Sequence, residues 1–151
     1  MATRSTIAIE LADGKVKQVY CHWDGYLDHN GKILLEHYSD ATVAEQLISN
    51  GDISSLGADI GEKHDFDARY GRDDSRSNWT KYYGRDRGEE DCNYKLFHDF
   101  AHYKADHQYE EYEYILRNNG TWYVSCYERP FVPLIDAIAD ELIEKELAED
   151  E

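Results

Sequence analysis

The chain has 151 residues, 32 acidic and 16 basic, for a formal charge of −16, and 41% of it is hydrophobic with 13 tyrosines. That length fits one domain able to bury a core without metals or disulfides, and the aromatic content is too high for a disordered chain. The charge excludes a generic electropositive surface for nucleic acid or anionic membrane, and no stretch approaches the ~20 apolar residues of a membrane span. Three cysteines, Cys21, Cys92 and Cys126, are odd in number and widely spaced, which fits reduced thiols in a cytosol rather than a disulfide framework. The N-terminal "MATRSTIAIELADG" lacks the apolar h-region of a signal peptide.

Residues 5–11 and 15–23 alternate apolar and polar about Asp13-Gly14, predicting a hairpin on a two-residue type I′ turn. In that register Ile7, Ile9 and Leu11 share a core face with Val16, Gln18, Tyr20 and His22. "NGKILLEHYSDATVAEQLISNG" predicts two short helices broken near Ser39-Asp40, the second closed by Asn50-Gly51. "DISSLG" reads as a short strand or turn, 58–78 as a flexible polar loop, and "WTKYYG" as a strand. In "NYKLFHDFAHYKAD", Leu96, Phe97, Phe100 and Tyr103 fall on one helical stripe.

"YEEYEYILRNNGTWYVSCY" predicts a second hairpin, 109–117 with 121–127, turning at Asn119-Gly120. That count pairs Glu113 with Cys126, Ile115 with Val124 and Arg117 with Trp122 on one face, and Tyr112, Tyr114 and Leu116 with Tyr127, Ser125 and Tyr123 on the other. Pro133 starts a last helix with Leu134, Ile135, Ile138, Leu142 and Ile143 as its buried stripe and Asp136, Asp140 and Glu144 opposite, before a frayed acidic tail at 145–151. The whole is expected to be a single α+β domain, 1–151, with an antiparallel sheet of hairpins packed by three to four helices.

Four features compete as sites. "VYCHWDGY", residues 19–26, puts His22 and Asp24 two apart on a strand, pointing the same way, as an acid–base pair or metal ligands would. The plainer reading places His22 at the core's rim and Asp24-Gly25 in a turn, with Cys21 facing away from His22. "HDFAH", residues 98–102, outlines a zinc helix, but Asp99 replaces the required Glu and no third ligand is specified, so neither metal nor cofactor is expected. A basic island at 69–87 holds Arg69, Arg72, Arg76, Lys81, Arg85 and Arg87, and "YGRDD" and "YGRDR" repeat within it. Its balance is +3 against −19 for the rest of the chain. Glycine beside arginine lets a backbone approach a phosphate while a guanidinium forks onto it, although ion pairs with the chain's own carboxylates compete.

The acid itself is unevenly spread, with a balance of −4 over residues 1–88 and −12 over 89–151. Carboxylates at i, i+4 repel by ~0.2–0.5 kcal/mol per pair, so Asp136, Asp140 and Glu144 gain no folding stability from one another. Solubility explains such a row, and so does a partner with a basic surface.

The segments "RSTIAIE", "VYCHWDGY", "GDISSLG", "YGRDRGE" and "WYV" resemble a family of small uncharacterised proteins of tailed bacteriophages and prophages, with "CHWDGY" and "YGRDRGE" the most specific parts. The resemblance covers most of the chain up to the second hairpin. It implies an accessory protein of host takeover or counter-defence in the host bacterial cytoplasm and carries no catalytic residue.

The leading expectation is therefore a non-enzymatic protein that binds and blocks a host protein with a basic surface, such as a DNA-binding defence enzyme. It would act through Glu110, Glu111, Glu113, Asp136, Asp140, Glu141 and Glu144, without touching nucleic acid or membrane. The alternative is a protein that sequesters or hydrolyses a phosphorylated, nucleotide-like ligand held by Arg72, Arg85 and Arg87 near His22 and Asp24. A third reading uses the tyrosine faces of the second hairpin as a homodimer contact.

Overall fold

The computed structural model describes residues 3–107 and 110–149, with side chains through residue 143. The protein is α+β, as the hairpin and helix signals predict: among the described residues, four α-helices pack on a mixed sheet of eight strands. The strands are β1 Ser5–Glu10, β2 Val16–Cys21, β3 Ile53–Ser55, β4 Lys81–Tyr82, β5 Lys95–Phe97, β6 Tyr112–Leu116, β7 Trp122–Cys126 and β8 Val132–Pro133. The helices are α1 Lys32–His37, α2 Ala41–Ser49, α3 Phe100–Asp106 and α4 Leu134–Glu149. A π-helical turn, Leu27–Gly31, leads into α1, and the predicted start of the second hairpin at residue 109 lies outside the described residues.

The sheet order is β4-β3-β2-β1-β6-β7-β8, with β5 also pairing β2. Both predicted hairpins form, and they join through parallel pairing of β1 with β6, which local sequence does not encode. Every residue of β1 is buried, as expected for a central strand covered on both faces.

Each hairpin is offset by one residue from the predicted register. β1 and β2 pair Ile7 with Val19 and Ile9 with Lys17, and β6 and β7 pair Glu113 with Ser125 and Ile115 with Tyr123. The cause is the same twice. The Asp13 carboxylate accepts the Lys15 amide at 3.0 Å and the Asn119 side-chain oxygen accepts the Thr121 amide at 3.0 Å, so the bond that would close a two-residue turn is diverted. Three-residue loops result, with Gly14 and Gly120 left-handed at φ of 91° and 85°.

A one-residue slip inverts the faces. Ile7, Ile9, Val19, Cys21, Tyr114, Leu116, Trp122 and Val124 form the larger core with Leu34, Leu47, Ile48 and Leu134, on the side carrying α1, α2 and α4. Ala8, Val16, Phe97, Tyr103 and Ile115 form a smaller core on the opposite side, under α3. Each such burial contributes about 1.5–3 kcal/mol for a large apolar side chain.

Tyrosine is used as a pillar with a satisfied tip. The Tyr114, Tyr38 and Tyr82 hydroxyls donate to the Gly25, Gly57 and Leu47 carbonyls at 2.6, 2.7 and 2.7 Å, while the Trp122 indole donates to the Tyr38 carbonyl at 3.1 Å. Asp40 caps α2 through the Thr42 amide at 2.8 Å, and Gly51 ends it at φ 93° where a Cβ would sit 2.1 Å from the Cys92 carbonyl oxygen.

Two helix expectations need correction. The stripe at 96–103 is broken, because residues 95–97 pair with β2 as a strand and Asp99 caps α3 by accepting the His102 amide at 2.8 Å. On α4 only Leu134 and Ile138 of the predicted stripe are buried, whereas Ile135, Leu142 and Ile143 are exposed. Pro133 falls in β8 rather than in the helix. The backbone of α4 stays helical from 145 to Glu149, and residues 150 and 151 of the expected tail lie outside the described residues.

Candidate functional site

"VYCHWDGY" closes the end of β2 rather than forming a reaction centre. Burial pushes the Cys21 thiol up to about 12, with Asn30, Ser5 and the Trp23 carbonyl opposing it only in part, so it is no nucleophile near neutral pH. His22 is half-buried with Nδ1 2.6 Å from the Tyr20 hydroxyl, and its ring meets Trp23 edge-on at 4.7 Å. Asp24 is left-handed at φ 57°, making the turn that the Asn30 amide completes through the Asp24 carbonyl. The slip in register moves His22 away from the face of Ile7 and Ile9, and His22 and Asp24 face no shared cavity among those described.

The two histidines of the zinc-like pair meet, with rings stacked at 5.1 Å, but not on one helix. His98 precedes the Asp99 cap, so the two histidines are not one turn apart on a helix; the His98 amide donates to His102 Nδ1 at 3.0 Å, and His102 Nε2 lies 3.2 Å from Asp106. No cluster of three potential metal ligands exists among the described residues.

The predicted ligand arginines are not brought together. Arg85 is spent internally: it donates to both Asp86 oxygens at 2.9 and 3.1 Å and to the carbonyls of Ile60, Gly61 and Thr80. Arg72 is exposed, and Arg87 lies over the Phe66 ring and 3.8 Å from Glu89. Asp86 also accepts the Tyr82 and His64 amides, tying the 58–78 segment to the sheet edge. That segment contains a 3-10 turn, Ser75–Asn78, capped by Asp74.

The predicted acidic residues separate into two groups. Glu113 is not at the surface: it shares the face of Ile115, which α3 covers, and accepts from His107 Nε2 at 2.7 Å with both side chains 2% exposed. Glu110 and Glu111 are half-buried just before β6, and Asp136 and Asp140 are exposed on α4 with Glu141 half-buried beside them. The side chain of Glu144 lies outside those described.

The two remaining acidic stretches meet at a residue the sequence does not single out. Glu110, Glu111, Tyr127 and Glu128 line one depression of about 310 Å³. Asp140 and Glu141 line a second, of about 530 Å³, whose wall again includes Tyr127. The Tyr127 ring is 59% exposed and stands 5.5 Å from that of Tyr112, which burial holds above its ordinary pKa with help from Tyr127 and the Glu141 charge. Tyr127 and Glu128 are consecutive left-handed residues at φ 52° and 65°, although neither is glycine. Each such residue costs on the order of 1–2 kcal/mol, and strain of this kind concentrates where a surface is functional. Loop backbone geometry of this sort has no signal in local sequence.

Comparison with known protein families, curated proteins and solved structures finds no match to this chain. The acidic end with Tyr127 at its centre is the candidate site that geometry alone identifies.

Proposed function

We propose that the protein is a non-enzymatic binder that engages a host protein with a basic surface through its acidic end and blocks it. The carrying observation is that two depressions, one lined by Glu110, Glu111 and Glu128 and the other by Asp140 and Glu141 with Arg129, share the exposed Tyr127. An aromatic anchor amid charge is the composition of an interface hot spot: the ring supplies desolvated contact area while the carboxylates steer a cationic partner and fix its register. The net charge of −16 strengthens that steering and repels nucleic acid itself. Placement in a host bacterial cytoplasm follows from the phage resemblance alone; no described helix is long and apolar enough to cross a membrane.

The test is affinity capture from the cytosol of the bacterial host, at about physiological salt, with three proteins in parallel. The native chain retains a specific host protein, while Tyr127→Ala and the Asp140→Lys, Glu141→Lys pair lose it. A variant with two acids reversed far from this end, Asp13→Lys and Asp65→Lys, keeps it. Equal loss in all variants would reduce the effect to net charge and refute the site.

A further inference from the structure

We propose a second, independent binding site: the groove between Trp23 and the 66–81 segment takes a nucleoside monophosphate, with the base on Trp23 and the phosphate on Arg69 and Lys81. The groove encloses about 650 Å³, within the range of small-molecule sites. One wall is the Trp23 indole, 45% exposed, steadied edge-on by His22 and anchored by its own amide to the Ser54 carbonyl at 3.0 Å. The other wall carries Phe66 and Tyr70. Tyr70 is backed by Arg76 at 4.3 Å, and Arg76 is itself clamped by both oxygens of Asp74 at 2.7 and 3.1 Å. The aromatic wall is thus built before any ligand arrives.

Three cations line this groove, and they are not equivalent. Arg76 is neutralised by Asp74, as Arg85 outside the groove is by Asp86. Arg69 has no ion pair among the described residues, and Lys81 reaches only the Ala68 carbonyl, at 3.5 Å. The one acid in the lining, Asp67, pairs with neither of them, and in a chain with twice as many acids as bases two such cations on one aromatic groove fit an anion held in common. A planar base stacking on an aromatic ring contributes ~1–3 kcal/mol whatever its edge, and a guanidinium beside an ammonium suits one phosphate.

The same charges select size. The balance of +3 is confined to residues 69–87 and the rest of the chain carries −19, so a longer strand leaving the groove meets repulsion that a single nucleotide avoids. These residues differ from the Arg72, Arg85 and Arg87 set that the sequence suggests, since Arg85 is held in its own ion pair and Arg87 lies outside the groove.

The test is a titration of the full chain with each of the four common ribonucleoside 5′-monophosphates, followed by tryptophan fluorescence and calorimetry. At least one nucleotide should quench saturably, with the parent nucleoside and inorganic phosphate each weaker by about tenfold or more. Arg69→Ala with Lys81→Ala should weaken that binding by about tenfold or more at an unchanged melting temperature, and Arg69→Glu should do the same should the double variant fold poorly. Absence of saturable binding up to about 10 mM nucleotide, equal affinity in both variants, or tighter binding of a single-stranded oligonucleotide would overturn the proposal.

Discussion

Asp86 is a carboxylate without solvent access that accepts from the Tyr82 and His64 amides and from Nε and Nη2 of Arg85. Removing one partner of a buried ion pair leaves an uncompensated charge, so Asp86→Ala should destabilise the fold by about 3–5 kcal/mol in urea denaturation. Loss of less than about 1 kcal/mol would mean that the pair is open to water. Glu128 is the reverse case, a residue held in a conformation that glycine adopts freely. Glu128→Gly should raise stability by about 0.5–1 kcal/mol in the same assay while weakening partner binding, because relief of strain and loss of a steering charge act on different states. Neither role is visible in sequence: "GRDR" reads as a surface basic run, and nothing in "CYERP" announces two left-handed residues.

At the scale of elements, the sequence shows both hairpins, the α1–α2 break and the closure of α2 at Asn50-Gly51, because alternation and Asx-Gly pairs are local signals. It does not show loop length, since an Asx-Gly pair fits two-residue and three-residue loops alike and only the captured amides of Lys15 and Thr121 distinguish them. That one-residue difference moved His22 off the main core face, whereas Glu113 is interior because the end of α3 covers the face it shares with Ile115. The buried His107–Glu113 contact now ties the end of α3 to β6. Desolvation alone would lower the His107 pKa, but the Glu113 hydrogen bond and charge, with the Tyr103 carbonyl accepting from Nδ1, outweigh it and raise the value. A raised histidine pKa adds stability that is complete below the unfolded value near 6.5 and fades as pH climbs through the folded value. The urea midpoint should therefore fall as pH rises above about 6.5, and His107→Gln should flatten that slope. An unchanged slope in the variant would assign the dependence to other groups.

At the scale of the whole molecule, the segregation of charge along the chain becomes a local field only through the fold. Residues 110–111, the turn after β7 and the middle of α4 are separate in sequence, and the β6–β7 pairing with α4 packed on β7 sets them around one tyrosine. Sequence shows the asymmetry, −4 against −12, but not which carboxylates share a surface, because that depends on tertiary placement. The most direct test is the association rate with the captured host partner, measured for the native chain and for Asp140→Lys with Glu141→Lys between about 50 and 300 mM salt. The account predicts a native rate that falls about tenfold or more across that range, and a variant rate that is slow and nearly flat. Native and variant rates that coincide at every salt concentration would contradict it.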